Sequence, residues 1–593
     1  MILLKKKNYL RTNETAIGET IEIKNEKTEI KKFIIDGKST QDGEPAPDTP
    51  IEIESVGYTN LFDKDNVILE NRYLKDDGST SDVVADWIVT MSLIEVKPNQ
   101  NYVISAKNMG ERFIYAEYSS NNPVTTVGQR VEITPVTSFK TSSTTKYIRF
   151  CTNNPNATKF KIEEGSIVHP YMPYIPLGKY GIEVKTVGKN LFNNIMESGN
   201  INSSGVNYND GNSIRSVDFI KVQPNKEYTI SNNGVPIQCN ISQYDEKQTF
   251  ISRTFSNATS IITSSNTKYI KFQTSVVTNY KFQLEEGSTF TEYEPYKENI
   301  SVLQLNEPLR SLPNGVKDIA YLKNDKLYVD RYVGSVVLNG SEYCMLQSIN
   351  SYGIANFLVT FAKEYYNTNG YSNMLTDRFA KQTTPIANTQ TEGFLPTLSS
   401  SDHVLGIYIR IKSTTVSNLE DFKNWLSTHN TEVLYELATP VTEELGDITI
   451  LELLDGENNI SNSENANMKI EYVNYTPEIF EFNTILQSGY RINEQQNLIS
   501  KKQFVNGKRK KINTSYTDVI INLDLGCFDG NTLGECLTNL TDGEYEYYSL
   551  KDKKIKNANF IVTLPELQVD NSACEVFVGD FTATLEKSSD VEW

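Results

Sequence analysis

The chain has 593 residues and a net charge of −18, from 57 Lys and Arg against 75 Asp and Glu. This acidic balance argues against nucleic-acid binding, which needs a basic face to neutralise phosphates, and against docking on an anionic membrane. A hydrophobic fraction of 38% over this length predicts several domains with thin cores rather than one large globule.

The opening of the chain resembles neither a membrane span nor a secretory signal. In "MILLKKKNYL" the apolar residues precede the lysines, and no apolar run in the sequence approaches the roughly 20 residues that span a bilayer. We therefore expect synthesis in the cytoplasm without a signal peptide, and no membrane insertion. Residues 1–32 alternate polar with apolar side chains and are predicted to form an arm of one or two attachment strands.

Four segments of the chain recur in the same order about 120 to 130 residues further on. The pairs are "SVGYTNLFD" (Ser55–Asp63) with "TVGKNLFN" (Thr186–Asn193), "LIEVKPNQNYVIS" (Leu93–Ser105) with "FIKVQPNKEYTIS" (Phe219–Ser231), "TSSTTKYIRF" (Thr141–Phe150) with "TSSNTKYIKF" (Thr263–Phe272), and "KFKIEEGSIVHPYMPY" (Lys159–Tyr174) with "KFQLEEGSTFTEYEPY" (Lys281–Tyr296). Small changes in the offset are typical of loop-length differences between two divergent copies of one domain.

The pattern within each copy is that of β-strands. "KYIRF" and "NYVIS" alternate polar with apolar or aromatic residues, and Pro-Asn, Gly and Ser turn signals separate such runs. We predict two antiparallel β-sandwiches of the jelly-roll type, at residues 33–180 and 181–300.

Aromatic residues in the copies have two readings. Those that recur in both copies are predicted to pack in the core or at sheet edges; they are Tyr102 with Tyr228, Phe150 with Phe272, and Tyr174 with Tyr296. Trp87 has no counterpart in the second copy, and with Tyr115 and Tyr118 it is a candidate stacking surface for a sugar. An ordinary core tryptophan is the alternative.

The rest of the chain is also predicted to be β-rich. Residues 301–340 have the turn signals of a β-meander, and residues 341–445 form a third β-rich domain. In that domain "NLEDFKNWLST" (Asn418–Thr428) predicts a short helix with Trp425 on its buried face. Residues 446–475 are predicted to be a linker or hairpin.

The last segment, residues 476–593, is predicted to be an α+β domain in which strands dominate. "NTLGECLTNLTDG" (Asn531–Gly543) suggests a short helix, and the basic cluster at Lys508–Lys511 suggests an exposed hairpin or a subunit contact. No phosphate-binding loop, nucleophile elbow or zinc-protease motif occurs in the sequence.

Paired carboxylates in "EEG" (Glu163–Glu164 and Glu285–Glu286) are the nearest approach to a catalytic pattern. Adjacent strand residues point to opposite faces, so the two carboxylates of a pair cannot flank one bond, and a turn at the strand end is the better reading. The six cysteines are scattered without a C-x-x-C pair, and each of the three histidines is read as a surface or loop residue. We expect no enzyme activity, no cofactor and no metal site.

Phrases from both copies resemble tail-fibre and baseplate (minor structural) proteins of phages and prophages that infect Gram-positive bacteria. In that family "NLF" opens a carbohydrate-binding-module-like jelly roll and a phrase similar to "QLEEGSTFTEYEPY" closes it, as at Asn190–Phe192 and Gln283–Tyr296. "VGSVVLNGSE" (Val333–Glu342) and "FKNWLSTHNTEVLYELATPVTEEL" (Phe422–Leu445) are similar to the block that follows there. The resemblance covers about residues 33–445.

The resemblance implies a structural component of a virion tail or of a phage-tail-like particle, made in the host cytoplasm. The partners it implies are other tail or baseplate proteins, further copies of the chain in a trimer or another symmetric ring, and host cell-wall polysaccharide. It transfers no catalytic or sugar-contact residues. Two alternatives stay open: a purely structural baseplate or tail-tip adaptor, and a polysaccharide depolymerase.

Overall fold

Antiparallel β-sheets dominate the computed structural model, with one α-helix and one short 3-10 turn among the residues it describes. Those residues are 5–24, 27–277, 279–323, 326–362, 372–399, 404–447, 451, 453–481, 490–505, 508–524, 543–549, 554–563, 569–570, 577–578 and 582–587. The mainly β class with tandem antiparallel sandwiches is thereby confirmed. Within these ranges no helix is long and apolar enough to cross a membrane.

The chain divides into two compact units. The larger unit contains residues 15–24 and 30–472, and the smaller unit contains residues 1–14, 25–29 and 473–593. The two predicted copies, the third β-rich domain and a further sandwich all belong to the larger unit.

The first copy is a sandwich of two antiparallel sheets. Across its larger sheet the strands run in the order Val124–Ile133, Phe113–Asn121, Tyr147–Thr152, Ile88–Thr90 and Leu69–Glu70, with Ile94–Glu95 also paired to Tyr147–Thr152. Across its smaller sheet the order is Phe139–Lys140, Asn101–Lys107 and Thr158–Glu164.

The second copy has the same strand order in both sheets. Its larger sheet has the order Phe250–Ala258, Cys239–Tyr244, Tyr269–Ser275, Ser213–Ser216 and Met196–Ser198, with Ile220–Lys221 also paired to Tyr269–Ser275. In its smaller sheet Glu227–Asn232 lies between Ser260–Ile262 and Phe282–Glu286, as in the first copy, and also pairs with the additional short strand Val235–Pro236. A separate two-stranded hairpin joins Asn200–Ile201 to Asn207–Tyr208. The sequence duplication is therefore a duplication of topology.

Alternation in the repeated decamer builds the two cores. Ile148 and Phe150 of the first copy and Ile270 and Phe272 of the second are all buried, in one hydrophobic cluster per copy. Full burial of one such side chain contributes roughly 1.5–3 kcal/mol. The need for these buried side chains in both cores explains why the decamer occurs twice in the sequence.

A framework sandwich is assembled from segments that lie far apart in the sequence. One sheet has the order Thr20–Lys24, Glu457–Asn462, Tyr180–Val187 and Glu298–Leu305. The facing sheet has the order Leu375–Thr376, Thr431–Asp447, Lys326–Leu338, Ile319–Lys323, Thr28–Asp36 and Met468–Glu481. Their buried side chains, among them Ile182, Ile460, Ile35 and Val329, form one core.

Three segments that the sequence suggests are separate pieces contribute to the framework sandwich. The arm at residues 1–32, the connector at 301–340 and the linker at 446–475 each supply strands to this one core. Strand Tyr180–Val187 pairs along its whole length with Glu298–Leu305, so the ends of the second copy are held together by the framework. A further strand pair joins Ser39–Thr40 to Glu54–Ser55.

The third β-rich domain packs the predicted helix against one sheet. The sheet has the order Tyr343–Ile349, Ile354–Ala362, Val404–Lys412 and Gly393–Ser399, and a 3-10 turn occupies Ile386–Asn388. The helix is Leu419–Thr428, and the side chain of Asn418 caps it by accepting the backbone N–H of Asp421 at 2.9 Å. The Phe422 ring stacks on Phe357 at 4.1 Å, whereas Trp425 is only half-buried.

In the smaller unit the described strands are Lys5–Gly18, Gly543–Ser549, Lys554–Thr563, Thr582–Lys587, Lys508–Asp524 and Tyr490–Val505, with a short pair Val569–Asp570 and Phe577–Val578. Val505 pairs with Lys508, as a hairpin at the basic cluster requires. The helix predicted near Asn531 falls on residues 531–542, which lie outside the described residues.

Candidate functional site

The "NLF" phrase positions a buried asparagine at the start of each copy. Asn60 Oδ1 accepts the backbone N–H groups of Phe62 and Ile162 at 3.0 and 3.2 Å, and its amide donates to Met172 O at 2.6 Å. Asn190 makes the corresponding bonds in the second copy, with Phe192, Leu284, Phe282 and Glu294. Each asparagine therefore ties the entry of its copy to the last strand and the segment after it.

The first threonine of the repeated decamer also has a duplicated role. Thr141 donates to Lys97 O at 2.7 Å and accepts from Gln100 N at 3.0 Å, and Tyr102 OH accepts Lys97 N at 2.8 Å. Thr263 and Tyr228 repeat these three bonds at the same distances with Gln223 and Lys226. These sequence matches are explained by folding and need no ligand.

The "EEG" phrase ends a strand in both copies, as the sequence predicts. Gly165 and Gly287 have φ of 107° and 120°, a conformation that favours glycine, and each follows the last strand residue of its copy. Glu164 pairs with Lys97 at 2.8 Å, whereas Glu163 points into the protein. The two carboxylates of the pair thus lie on opposite faces of the strand.

A buried charge cluster surrounds Glu163 in the first copy. Its carboxylate lies 2.6 Å from Lys161 Nζ and 2.8 Å from His169 Nδ1. Tyr58 stacks on the His169 ring at 4.6 Å, and Lys161 lies over the Tyr58 ring at 4.9 Å from its centroid. Glu464, in the turn after strand Glu457–Asn462, completes the cluster through its charge. His169 is therefore a loop residue, one of the two readings of the sequence, and it is half-buried as the partner of a carboxylate.

Burial dominates the protonation of the buried charge cluster. It lowers the pKa of Lys161 to about 8 despite the neighbouring Glu163, and it raises the pKa of Glu464 to about 7 against the charge of His169. Burial also opposes the charged form of His169, but the bond to Glu163 and the charge of Glu464 outweigh it, and the His169 pKa is raised. A cavity of about 710 Å³ reaches both His169 and Glu464.

An inter-copy cleft of about 680 Å³ lies where the two copies meet the framework. Six of its lining residues define it here: Lys159, Tyr171, Glu183, Asp218, Lys221 and Tyr296. They come from the last strand of the first copy and the segment after it, from framework strand Tyr180–Val187, and from the second copy. Its volume is in the range that small-molecule ligands occupy.

Some charged side chains of the cleft already have partners within the protein. Asp218 pairs with Lys107 across the two copies at 3.3 Å, and Lys221 Nζ donates to Asn462 O at 2.7 Å. Burial lowers the pKa of Lys221 to about 8 and raises the pKa of Glu183 above its ordinary value. Lys159 lies over the Tyr171 ring at 5.7 Å from its centroid.

The three predicted sugar-stacking residues do not form one surface. Tyr115 is 5% exposed and stacks on Phe139 at 4.0 Å, inside the core of the first copy. Tyr118 is fully buried on the other face of the same sheet, and its hydroxyl donates to Gly78 O at 2.6 Å. Neither tyrosine offers a ring face to a sugar unless the sandwich opens.

Trp87 has a different environment from the two tyrosines. It is half-buried beside Tyr73 at 6.2 Å, with the Arg112 guanidinium over its ring at 5.2 Å. Sugar contact by Trp87 stays a prediction. The sequence does not predict the inter-copy cleft, because Lys159, Tyr171 and Glu183 come together only in the folded chain. The one local signal was that the matched segment Lys159–Tyr174 has charged residues at its start and aromatic residues at its end.

The described ranges contain neither a cluster of metal ligands nor an exposed thiol. There, no group of three or more His, Cys, Asp and Glu side chains is arranged to hold a metal ion. Cys151, Cys239 and Cys344 are buried cysteines, and burial raises the pKa of Cys151 to about 11. Cys527, Cys536 and Cys574 lie outside the described residues.

No protein-family model, no curated protein and no solved structure matches the chain.

Proposed function

We propose that the protein is a structural component of a phage tail or phage-tail-like particle, in a tail fibre or baseplate, and that its tandem sandwiches contact host cell-surface glycans. The observation that carries the proposal is the duplication: two sandwiches with one strand order and the same buried hydrogen bonds follow each other in one chain. Like modules repeated in one particle suit a surface that repeats, because weak contacts combine through avidity whether the sites lie on one chain or on several copies of it.

The framework sandwich supports this role. It draws strands from before, between and after the two copies, so both copies leave and re-enter one rigid core. Such an arrangement limits independent motion of the two modules and reduces the entropy lost when both contact one surface.

Its partners follow from the same proposal. Other tail or baseplate proteins hold the chain in the particle, and further copies of the chain form a trimer or another symmetric ring. Light scattering of the purified full chain should give a mass that is a small multiple of 67.1 kDa. A monomer at all concentrations would contradict the ring.

Two measurements test the function itself. Particles purified from the strain that carries the gene should contain the chain by mass spectrometry, and the full chain should bind bacterial glycans on a printed array. Presence in particles without glycan binding, together with tight binding to another tail protein, supports the alternative of a purely structural adaptor. Release of reducing ends from a bound polysaccharide would indicate a depolymerase.

A further inference from the structure

We infer that the inter-copy cleft is the glycan-binding site, that each chain has one such composite site rather than one per sandwich, and that its ligand is a neutral saccharide chain. This inference rests on the proposed function and names the residues and ligand class for it. The cleft is lined by Lys159 and Tyr171 from the first copy, by Glu183 from the framework, and by Tyr296 next to the second copy.

The first argument is the supply of hydrogen-bonding groups. Among the described residues, no side chain hydrogen-bonds or forms an ion pair with the carboxylate of Glu183 or the ammonium of Lys159. Burial raises the pKa of Glu183 although the charges of Lys185, Lys159 and Lys221 oppose the shift, as expected of a half-buried carboxylate that has lost water without gaining a hydrogen-bonded side-chain partner. Sugar hydroxyls are both donors and acceptors, so one hydroxyl can donate to Glu183 while a neighbouring one accepts from Lys159.

The second argument is the placement of aromatic rings. Tyr171 and Tyr296 both line the cleft, and rings of this kind supply apolar faces next to a polar edge. They are not equivalent residues: Tyr296 corresponds in the repeat to Tyr174, which is 40% exposed and does not line the cleft. The second copy's counterpart of Tyr171 is Tyr293, which is also not a lining residue. The site therefore uses each copy differently and occurs once per chain.

The third argument concerns the charge of the ligand. The cleft is lined by three lysines and three carboxylates, so it has no excess of either sign. Lys185 and Glu298 pair with each other at 2.9 Å, and Asp218 pairs with Lys107 at 3.3 Å. Lys159, Lys221 and Glu183 remain, and because the Lys221 ammonium is bound to Asn462 O, the cleft presents no cluster of free cations to a phosphate chain. A polyanion such as a teichoic acid would bring its repeated negative charge against Glu183. A neutral hexose or N-acetylhexosamine chain fits this balance.

The test compares matched variants of the full-length protein on one array of neutral and anionic bacterial glycans. Glu183→Gln keeps the shape of the side chain and removes a costly buried charge, so the variant should fold at least as well as the parent. Its loss of a charge-assisted hydrogen bond should weaken binding to the neutral glycans by about tenfold or more. Glu95→Gln makes the same chemical change at an exposed position of the first copy and should have no effect.

A second pair of variants tests the rings. Tyr171→Ala should weaken the same binding, whereas Tyr174→Ala, three residues along the same segment, should not. The melting temperature of each variant shows whether a loss of binding follows from unfolding. If the parent binds neutral glycans and the two cleft variants bind equally well, the cleft is not the site, although the proposed function stands. Binding restricted to anionic glycans overturns the ligand class, and a parent that binds no glycan overturns both proposals.

Discussion

The first and second copies share their strand order and their buried hydrogen bonds, but the first has charged side chains where the second has neutral ones. In both, the inner glutamate of "EEG" accepts the backbone N–H of the residue six positions later, His169 at 3.2 Å and Thr291 at 2.8 Å. At the matched positions around that bond the first copy has Lys161 and His169 and the second has Gln283 and Thr291, although Lys189 lies 3.9 Å from the Glu285 carboxylate. The backbone geometry is the same with either set of partners.

A second position shows the same exchange. The first serine of the decamer donates its backbone N–H to a side-chain oxygen in both copies. Ser142 donates to Glu117 at 2.8 Å, and Ser264 donates to Gln243 at 2.9 Å. The fold thus requires an acceptor at this position and does not require a charge. The comparison indicates that the charges of the first copy depend on one another, since a buried charge without its partner is strongly destabilising.

The largest expected effect comes from removing one charge of the buried charge cluster. Lys161→Ala leaves Glu163 buried beside a lone histidine and should destabilise the first copy by about 3–5 kcal/mol. Gln283→Ala, the matched change in the second copy, removes an uncharged side chain that donates to Glu285, while Lys189 still lies 3.9 Å from that carboxylate, and it should cost about 1–2 kcal/mol. Hydrogen exchange resolves the two copies separately, because a chain of several domains need not unfold in one step. The exposed Lys140→Ala is the control, and equal losses in both copies would refute the charge argument.

The next effect should be the same in both copies. Asn60→Ala and Asn190→Ala each leave two buried backbone N–H groups without their acceptor, one in the "NLF" segment and one in the last strand, which should cost about 2–3 kcal/mol. Protection of the last strand, Thr158–Glu164 or Phe282–Glu286, should fall only in the copy that carries the change. Asn156→Ala alters an exposed asparagine and should leave both strands protected. Loss of protection in the unchanged copy would show that the copies fold as one unit.

A smaller effect concerns pH and the charge of Glu464, which takes part in the buried charge cluster. The pKa of Glu464 is raised from 4.5 to about 7 in the folded protein, so its ionised form costs stability. That cost is absent below about pH 4.5 and complete above about pH 7. Glu464→Gln should match the parent near pH 5 and be more stable by about 1 kcal/mol near pH 8.

Calorimetric melting of parent and Glu464→Gln across this range measures the difference. The raised pKa of His169 gives stability that is present below its ordinary value of 6.5 and lost as the pH rises through the folded value. Because the charge of Glu464 helps to raise the His169 pKa, the His169 contribution shrinks in Glu464→Gln, and the difference between the curves reports on Glu464 together with its coupling to His169. Parallel curves from pH 5 to 8 would mean that Glu464 is already well solvated.

The smallest expected effect concerns the duplicated tyrosines. Tyr102→Phe and Tyr228→Phe remove a hydroxyl that accepts a backbone N–H at 2.8 Å, and each should cost about 1 kcal/mol. The two losses should agree, because the bonds and their burial agree. A clear inequality between them would show that the conserved geometry hides different local packing. Tyr147→Phe, at a half-buried position of strand Tyr147–Thr152, provides a control.

Local patterns were enough to predict the two sandwiches and the helix. Period-two alternation in "KYIRF" reports which side chains face the core, and the cap at Asn418 with apolar residues three and four apart reports a helix. The framework was not predictable in this way. Thr20–Lys24, Tyr180–Val187 and Glu457–Asn462 each have strand character, but no local signal states that they pair.

Candidate site residues were harder to identify than the elements that carry them. Tyr115 and Tyr118 differ from an exposed binding residue only in what covers their two sheet faces, namely Phe139 on one side and the segment around Gly78 on the other. Their single-letter pattern is the same in either case. The partner of His169 was equally hidden in the sequence, because the chain has to turn after strand Thr158–Glu164 before His169 meets Glu163.

The sequence alone determined that this chain contains one β-domain twice, because strand periodicity, turn residues and buried aromatic positions are local properties that recur in order. Only the tertiary structure decided which residues meet. The framework core, the buried charge cluster and the inter-copy cleft all join segments that are far apart in the chain, and such contacts depend on closing long loops around a common core rather than on any local preference.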